Sequence, residues 1–102
     1  MSGESDDNLV DATIHQRTRL AIMAALAGVE GLGFNELKSR LSLTDGNLST
    51  HLSALERAGY VRIIKQFKGR KPATTIEMTP RGREALGKYI AQLQAIIRKV
   101  QP

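Results

Sequence analysis

A chain of 102 residues with 41% hydrophobic content has room for one small domain and too little bulk to cover its own surface, so self-association is expected. It has no cysteine, which excludes disulfides and thiolate metal sites and suits a cytoplasmic location; the apolar run from Leu20 to Ala27 is far short of a bilayer span, and the first residues lack the basic-then-apolar order of a secretory signal. The formal net charge is +5, yet Glu4, Asp6, Asp7 and Asp11 lie in the first eleven positions, so the remainder sets six acidic residues against fifteen basic ones and should attract polyanions.

Residues 1–8 read as an acidic, flexible arm, and residues 9–102 as one domain. Leu9 to Gly28 reads as a helix with a break near Asp11, apolar all round in its second half and therefore covered on more than one side. Arg17 and Arg19 precede that apolar run and read as surface charge. Val29-Glu30-Gly31-Leu32-Gly33 is a glycine-rich turn whose spacing fits neither a P-loop nor a dinucleotide fingerprint; Phe34 could add a short strand residue after it. Asn35 is expected to cap a short helix ending at Leu41, with Leu37 and Leu41 turned inward.

After a tight turn at Ser42-Leu43, Thr44 or Asp45 caps a further helix over about 44–58. Leu48, Leu52 and Leu55 fall on its inner side, while Gly46, Thr50, Ser53 and Arg57 fall on the outer one. Small hydroxyl, amide and guanidinium groups on an outward face suit close approach to base edges and phosphates, whereas a merely solvated face more often carries Glu and Lys. Gly59 ends this helix in a left-handed cap. Tyr60 to Phe67, a turn at Lys68-Gly69-Arg70-Lys71-Pro72, and Ala73 to Met78 then make a β-hairpin. From Arg62 to Lys71 there are five cationic residues and no acidic one, so the tip is where a phosphate backbone would be met.

Thr79 caps the last helix, about 79–100, with Pro80 at its first position. Leu86, Ile90, Leu93, Ile97 and Val100 recur at spacings of 4, 3, 4 and 3, a coiled-coil seam that Tyr89 and Ile96 widen. Such a stripe either packs on its own domain or pairs with a twin helix, and the small core favours pairing.

Helix, helix, helix, hairpin, helix is the order of a winged helix-turn-helix, an α+β and mainly helical fold. Leu48-Ser49-Thr50-His51-Leu52 with Leu55-Glu56-Arg57-Ala58-Gly59-Tyr60-Val61, then Phe67-Lys68-Gly69-Arg70-Lys71-Pro72, then Met78-Thr79-Pro80-Arg81-Gly82-Arg83-Glu84, resemble small winged-helix transcriptional regulators related to the MarR and ArsR groups. The resemblance spans about residues 14–100. It implies a homodimer on double-stranded DNA, with a two-stranded β wing and a long C-terminal dimerisation helix.

Carried onto this chain, the resemblance makes Asn47, Ser49, Thr50, Ser53 and Arg57 groove readers, and Lys65, Lys68, Arg70 and Lys71 of the wing (65–72) backbone or minor-groove contacts. Leu86, Tyr89, Ile90, Leu93, Ile97 and Val100 would form the dimer interface. His51 projects to the flank of the apolar side and reads as structural. With no cysteine, and only His15 and His51 as histidines, a metal site is not expected, nor any other cofactor, and no polar cluster betrays an effector pocket. An enzyme would need a nucleophile with its base, a carboxylate pair or a metal, and none is discernible. The alternative to a DNA-binding regulator is a winged-helix module that binds protein or RNA within a larger assembly.

Overall fold

A computed structural model describes residues 10–101; the acidic arm expected over 1–8 lies outside the described residues. The elements run α1 (Arg17–Ala27), β1 (Leu32–Gly33), α2 (Phe34–Leu41), α3 (Asp45–Arg57), β2 (Val61–Lys68), β3 (Lys71–Met78) and α4 (Pro80–Val100). The sheet is antiparallel with strand order β1-β3-β2. None of the described helices is long and apolar enough to cross a membrane.

Helix α1 starts at Arg17, well after the expected Leu9, because Asp11 builds a competing turn. Its Oδ1 accepts hydrogen bonds from the backbone N–H groups of Thr13 (2.8 Å) and Ile14 (3.1 Å), which hold the chain out of helical geometry. Gln16 then caps α1, its Oε1 accepting from the Arg19 N–H at 2.9 Å. Ile22, Met23 and Leu26 of α1 are buried, joined in one core by Ile14, Leu32, Leu37, Leu48, Leu52, Leu55, Val61 and Ile76.

The expected cap at Asn35 is also corrected. Gly33 holds the N-cap position with extended backbone and no side-chain bond, and Phe34 is already helical. The glycine-rich turn supplies a third strand: Leu32 pairs with Ile76 and Gly33 with Thr75. Gly31 lies so close to β3 that a Cβ there would come within 3.1 Å of the Thr75 methyl and 3.2 Å of the Ile76 carbonyl oxygen.

Helices α2 and α3 end in the same way. The Leu43 N–H donates to the Lys38 carbonyl and the Ser42 N–H to that of Ser39; likewise Tyr60 donates to Leu55 and Gly59 to Glu56. These paired bonds form two Schellman motifs, each needing one left-handed residue. Gly59 (φ +83°) fills the second without strain, as expected, whereas Ser42 (φ +55°) fills the first despite its Cβ. The Thr44 side chain accepts from the Asn47 N–H at 3.1 Å, the expected N-cap of α3.

The hairpin turn is tighter than expected, with only Gly69 and Arg70 between the closing pair Lys68 and Lys71. Gly69 has φ +67° and Arg70 does not have positive φ, the arrangement of a type II′ turn.

Thr79 and Pro80 open α4 as expected, Thr79 Oγ1 accepting from the Gly82 N–H at 2.9 Å and donating to the Gly59 carbonyl at 2.6 Å. The pairing stripe needs correction in its first half. Leu86 and Tyr89 are buried in the chain's own core, and the Tyr89 hydroxyl lies 2.8 Å from His15 Nδ1. Arg83 fastens the same end of α4 to α1 by donating to the Ala27 carbonyl at 3.2 Å. Beyond this point the helix leaves its domain: Ile90, Ile97 and Val100 are 43%, 48% and 78% exposed, while Leu93 still packs partly against the core.

Candidate nucleic-acid interface

Three leucines fix the roll of α3. Leu48, Leu52 and Leu55 are buried, and this turns Asn47, Ser49, Thr50, Ser53 and Arg57 outward, all of them exposed. The side chains of β2 and β3 continue that surface. Directly paired residues share a face and successive ones alternate, so Ile63 with Ile76, Lys65 with Thr74 and Phe67 with Pro72 form one row running from the core toward the tip.

Helix and hairpin meet in a groove of about 460 Å³, lined by Ser49, Leu52, Ser53 and Glu56 of α3, Ile63 and Lys65 of β2, Thr74 of β3 and Phe34. The outward hydroxyls of the helix and the first cation of the hairpin therefore border one concave surface. Glu56 is a member of this surface that the sequence reading passed over. Its position three residues after Ser53 and seven after Ser49 was the available signal, since those offsets share a helix face.

Charge is concentrated at the hairpin tip. Arg62 forms an ion pair with Glu77 at 2.6 Å on the opposite face of the sheet, which removes it from the five cations counted in the sequence. Lys65, Lys68, Arg70 and Lys71 are exposed and make no ion pair among the described residues. Lys68 and Lys71 stand directly opposite each other. Like charges in that position repel, and an anion lying across the tip would relieve them. At the start of α3, Asp45 would oppose an approaching phosphate, but Lys38 forms an ion pair with it at 2.6 Å.

A family model described as "Winged helix DNA-binding domain" matches residues 18–97. The chain belongs to that family. Family and structure together make it a DNA-binding regulator of the winged-helix type, and the family is not an enzymatic one. It is 39% identical over 83 residues to an uncharacterized protein of Methanocaldococcus jannaschii, a match that covers 81% of this chain and 90% of that protein. It is also similar to the structure of a transcriptional regulator homologue from Pyrococcus horikoshii OT3, with 30% identity, a TM-score of 0.88, and coverage of 97% of this chain and 99% of that one. The Staphylococcus aureus MepR–DNA complex shares the fold, at 16% identity and a TM-score of 0.73 over 96% of this chain and 80% of that one.

In the winged-helix fold, α3 is the second helix of the helix-turn-helix and β2-β3 the wing. His51 lies on the inner flank of α3, where Arg19 Nε donates to its Nδ1 at 3.2 Å. Partial burial, with the neighbouring Arg19 charge in second place, holds the imidazole below its usual pKa, so it is neutral at pH 7 and accepts that bond. Arg19, which reads as plain surface charge in the sequence, thus joins α1 to α3, and its guanidinium also reaches the Thr13 carbonyl at 3.4 Å.

A second cavity, of about 620 Å³, lies between the segment before α1 and the first half of α4. Asp11, Tyr60, Arg81, Glu84, Lys88, Tyr89 and Gln92 give it a polar lining. The lining comes from segments about 50 and 20 residues apart, so no local pattern in the sequence announces it. The Tyr60 hydroxyl donates to Asp11 Oδ2 there. Among the described residues, no group of three or more His, Cys, Asp or Glu side chains is placed to hold a metal ion.

Proposed function

We propose that the protein is a sequence-specific regulator that acts in the cytoplasm as a homodimer on double-stranded DNA. Helix α3 enters the major groove, where Asn47, Ser49, Thr50, Ser53 and Arg57 meet base edges and phosphates. The wing residues Lys65, Lys68, Arg70 and Lys71 lie on the flanking backbone or minor groove. The observation that carries this reading is the groove between α3 and the wing: Ser49, Ser53 and Lys65 line it together, so one duplex can touch the helix face and the cationic hairpin at once. Dimerisation is supported by the distal half of α4, whose Ile90, Ile97 and Val100 are exposed at coiled-coil spacing.

Selection of bound duplexes from a random pool at physiological salt tests the reading. Enrichment of a motif repeated about one helical turn apart is the expected result, since two symmetric recognition helices need two half-sites at that spacing. A pool that remains random, or competition by structured RNA as effective as by duplex DNA, would remove the claim.

A further inference from the structure

The wing carries an apolar feature that its electrostatic role leaves unused. Phe67 is 71% exposed, in a chain that has only two phenylalanines, and it stands opposite Pro72 on the hairpin. Its face is fixed by register. The row Ile63, Lys65, Phe67 lies on the side of the sheet that carries α3, and Ile63 and Lys65 already line the groove beside Ser49 and Ser53. Phe67 is the next residue of that row, about 7 Å farther along the strand. An exposed ring gains nothing from the hydrophobic effect until something covers it. Here the neighbours are Lys65, Lys68, Arg70 and Lys71, so a covering surface must be both anionic and apolar in alternation. The edge of a duplex minor groove has that character, with phosphates outside and deoxyribose carbons within.

We infer that Phe67, backed by Pro72, is an apolar nucleic-acid contact, its ring lying on the deoxyribose wall of the minor groove beside the major-groove segment read by α3. The inference rests on the proposed placement of the wing. The surrounding cations fix the wing on the phosphates, and the ring adds contact area that does not depend on counterion release. Its contribution is therefore insensitive to salt, which separates it from every lysine and arginine nearby.

The test uses full-length protein, a labelled mixed-sequence duplex and binding isotherms across a range of salt concentrations. Phe67→Ala should weaken binding about tenfold at every salt concentration with the slope of log affinity against log salt unchanged, and Phe67→Leu should recover part of the loss. Lys68→Ala should instead flatten the slope. On a second duplex whose minor grooves flanking the site are A·T-rich, the minor-groove ligand netropsin, added in excess, should abolish the difference between wild type and Phe67→Ala. Urea unfolding of each variant shows whether the ring only holds the hairpin together. Equal affinity of Phe67→Ala and wild type would overturn the inference and leave the proposed function standing, as would a changed salt slope or a shift confined to self-association. Failure of the wild type to bind the duplex would instead remove the underlying reading.

Discussion

The carbonyl oxygen of Tyr60 occupies the place where residue 82 would carry a side chain: a Cβ built on Gly82 would lie 2.1 Å from it and 2.9 Å from the carbonyl carbon. The same carbonyl accepts the Thr79 N–H at 3.0 Å, so the exit of α3 and the entry of α4 share one backbone contact. Gly82→Ala must push the two apart, and the obstacle is main chain, which cannot rotate away. A loss of about 3 kcal/mol is expected, at the upper end for overpacking, measured by urea denaturation. A loss under about 0.5 kcal/mol, the size of an ordinary surface change, would mean that this junction is not tightly held.

Ser42→Gly should act in the opposite direction. Ser42 holds φ +55° and ψ +47° in the Schellman turn between α2 and α3, a conformation that costs a side-chain-bearing residue about 1 kcal/mol and glycine nothing. The variant should gain up to about 1 kcal/mol, reduced by the greater freedom of glycine in the unfolded chain. A destabilised variant would show that the hydroxyl or the unfolded-state entropy outweighs backbone strain at this position.

These two junctions show which features a sequence discloses. Thr44, Gly59 and the Thr79-Pro80 pair announce their roles because capping is chemistry between near neighbours, and the spacing of Leu48, Leu52 and Leu55 alone sets the outward face of α3. Features that need a distant partner stay hidden. Gly33 caps α2 only because its strand is already seated on β3, which overrides the better capping chemistry of Asn35. Arg62 meets Glu77 only in the register set by the two-residue turn; lengthening that turn by one residue would place Arg62 opposite Met78 and turn every side chain of one strand over. A heptad stripe cannot say how much of itself its own domain will cover, and so Leu86 and Tyr89 read the same as Ile97.

The Tyr60 phenol should report its contact with Asp11 in the ultraviolet. The hydrogen bond to Asp11 first, then burial, then the carboxylate charge raise its pKa from the usual 10 to about 12. An acid whose folded pKa is raised keeps its proton in the fold after the unfolded chain has lost it. The stabilisation is therefore complete below pH 10 and is lost as pH rises toward 12. A phenolate titration of the folded protein should show a high step that Tyr60→Phe removes and Tyr89→Phe does not. If Asp11→Asn left that step in place, the carboxylate would not be its cause.

The proposed division of labour between the wing and α3 predicts two different kinds of defect. A dimer neutralising about four phosphates per subunit should show a log affinity against log salt slope of about −7. Arg70→Ala with Lys71→Ala should weaken binding to all duplexes alike and reduce the steepness by about 3 to 4, since four charges leave the dimer. Asn47→Ala or Thr50→Ala should change base preference at defined positions with the slope nearly intact. Identical profiles for both kinds of variant across a duplex library would defeat the assignment of roles.

In the proposed homodimer, pairing rests on the outer half of α4. Ile97 is 48% exposed and sits seven residues after Ile90, which is 43% exposed, so both present the same side of a helix whose inner half is already anchored by Leu86 and Tyr89. A carboxylate at position 97 would be buried without a partner in a symmetric pair, and that cost is paid twice in a dimer. Ile97→Asp should therefore sediment as a monomer that still unfolds cooperatively, less stable than the wild type only by the concentration-dependent contribution of pairing, because Ile97 adds little to the core. Affinity for a duplex with two half-sites should fall at least about 100-fold, to that of a single half-site, since the second recognition helix is no longer held at high effective concentration. A wild-type protein that sediments as a monomer at micromolar concentration would refute the pairing, and a dimeric Ile97→Asp would place the interface elsewhere on the chain.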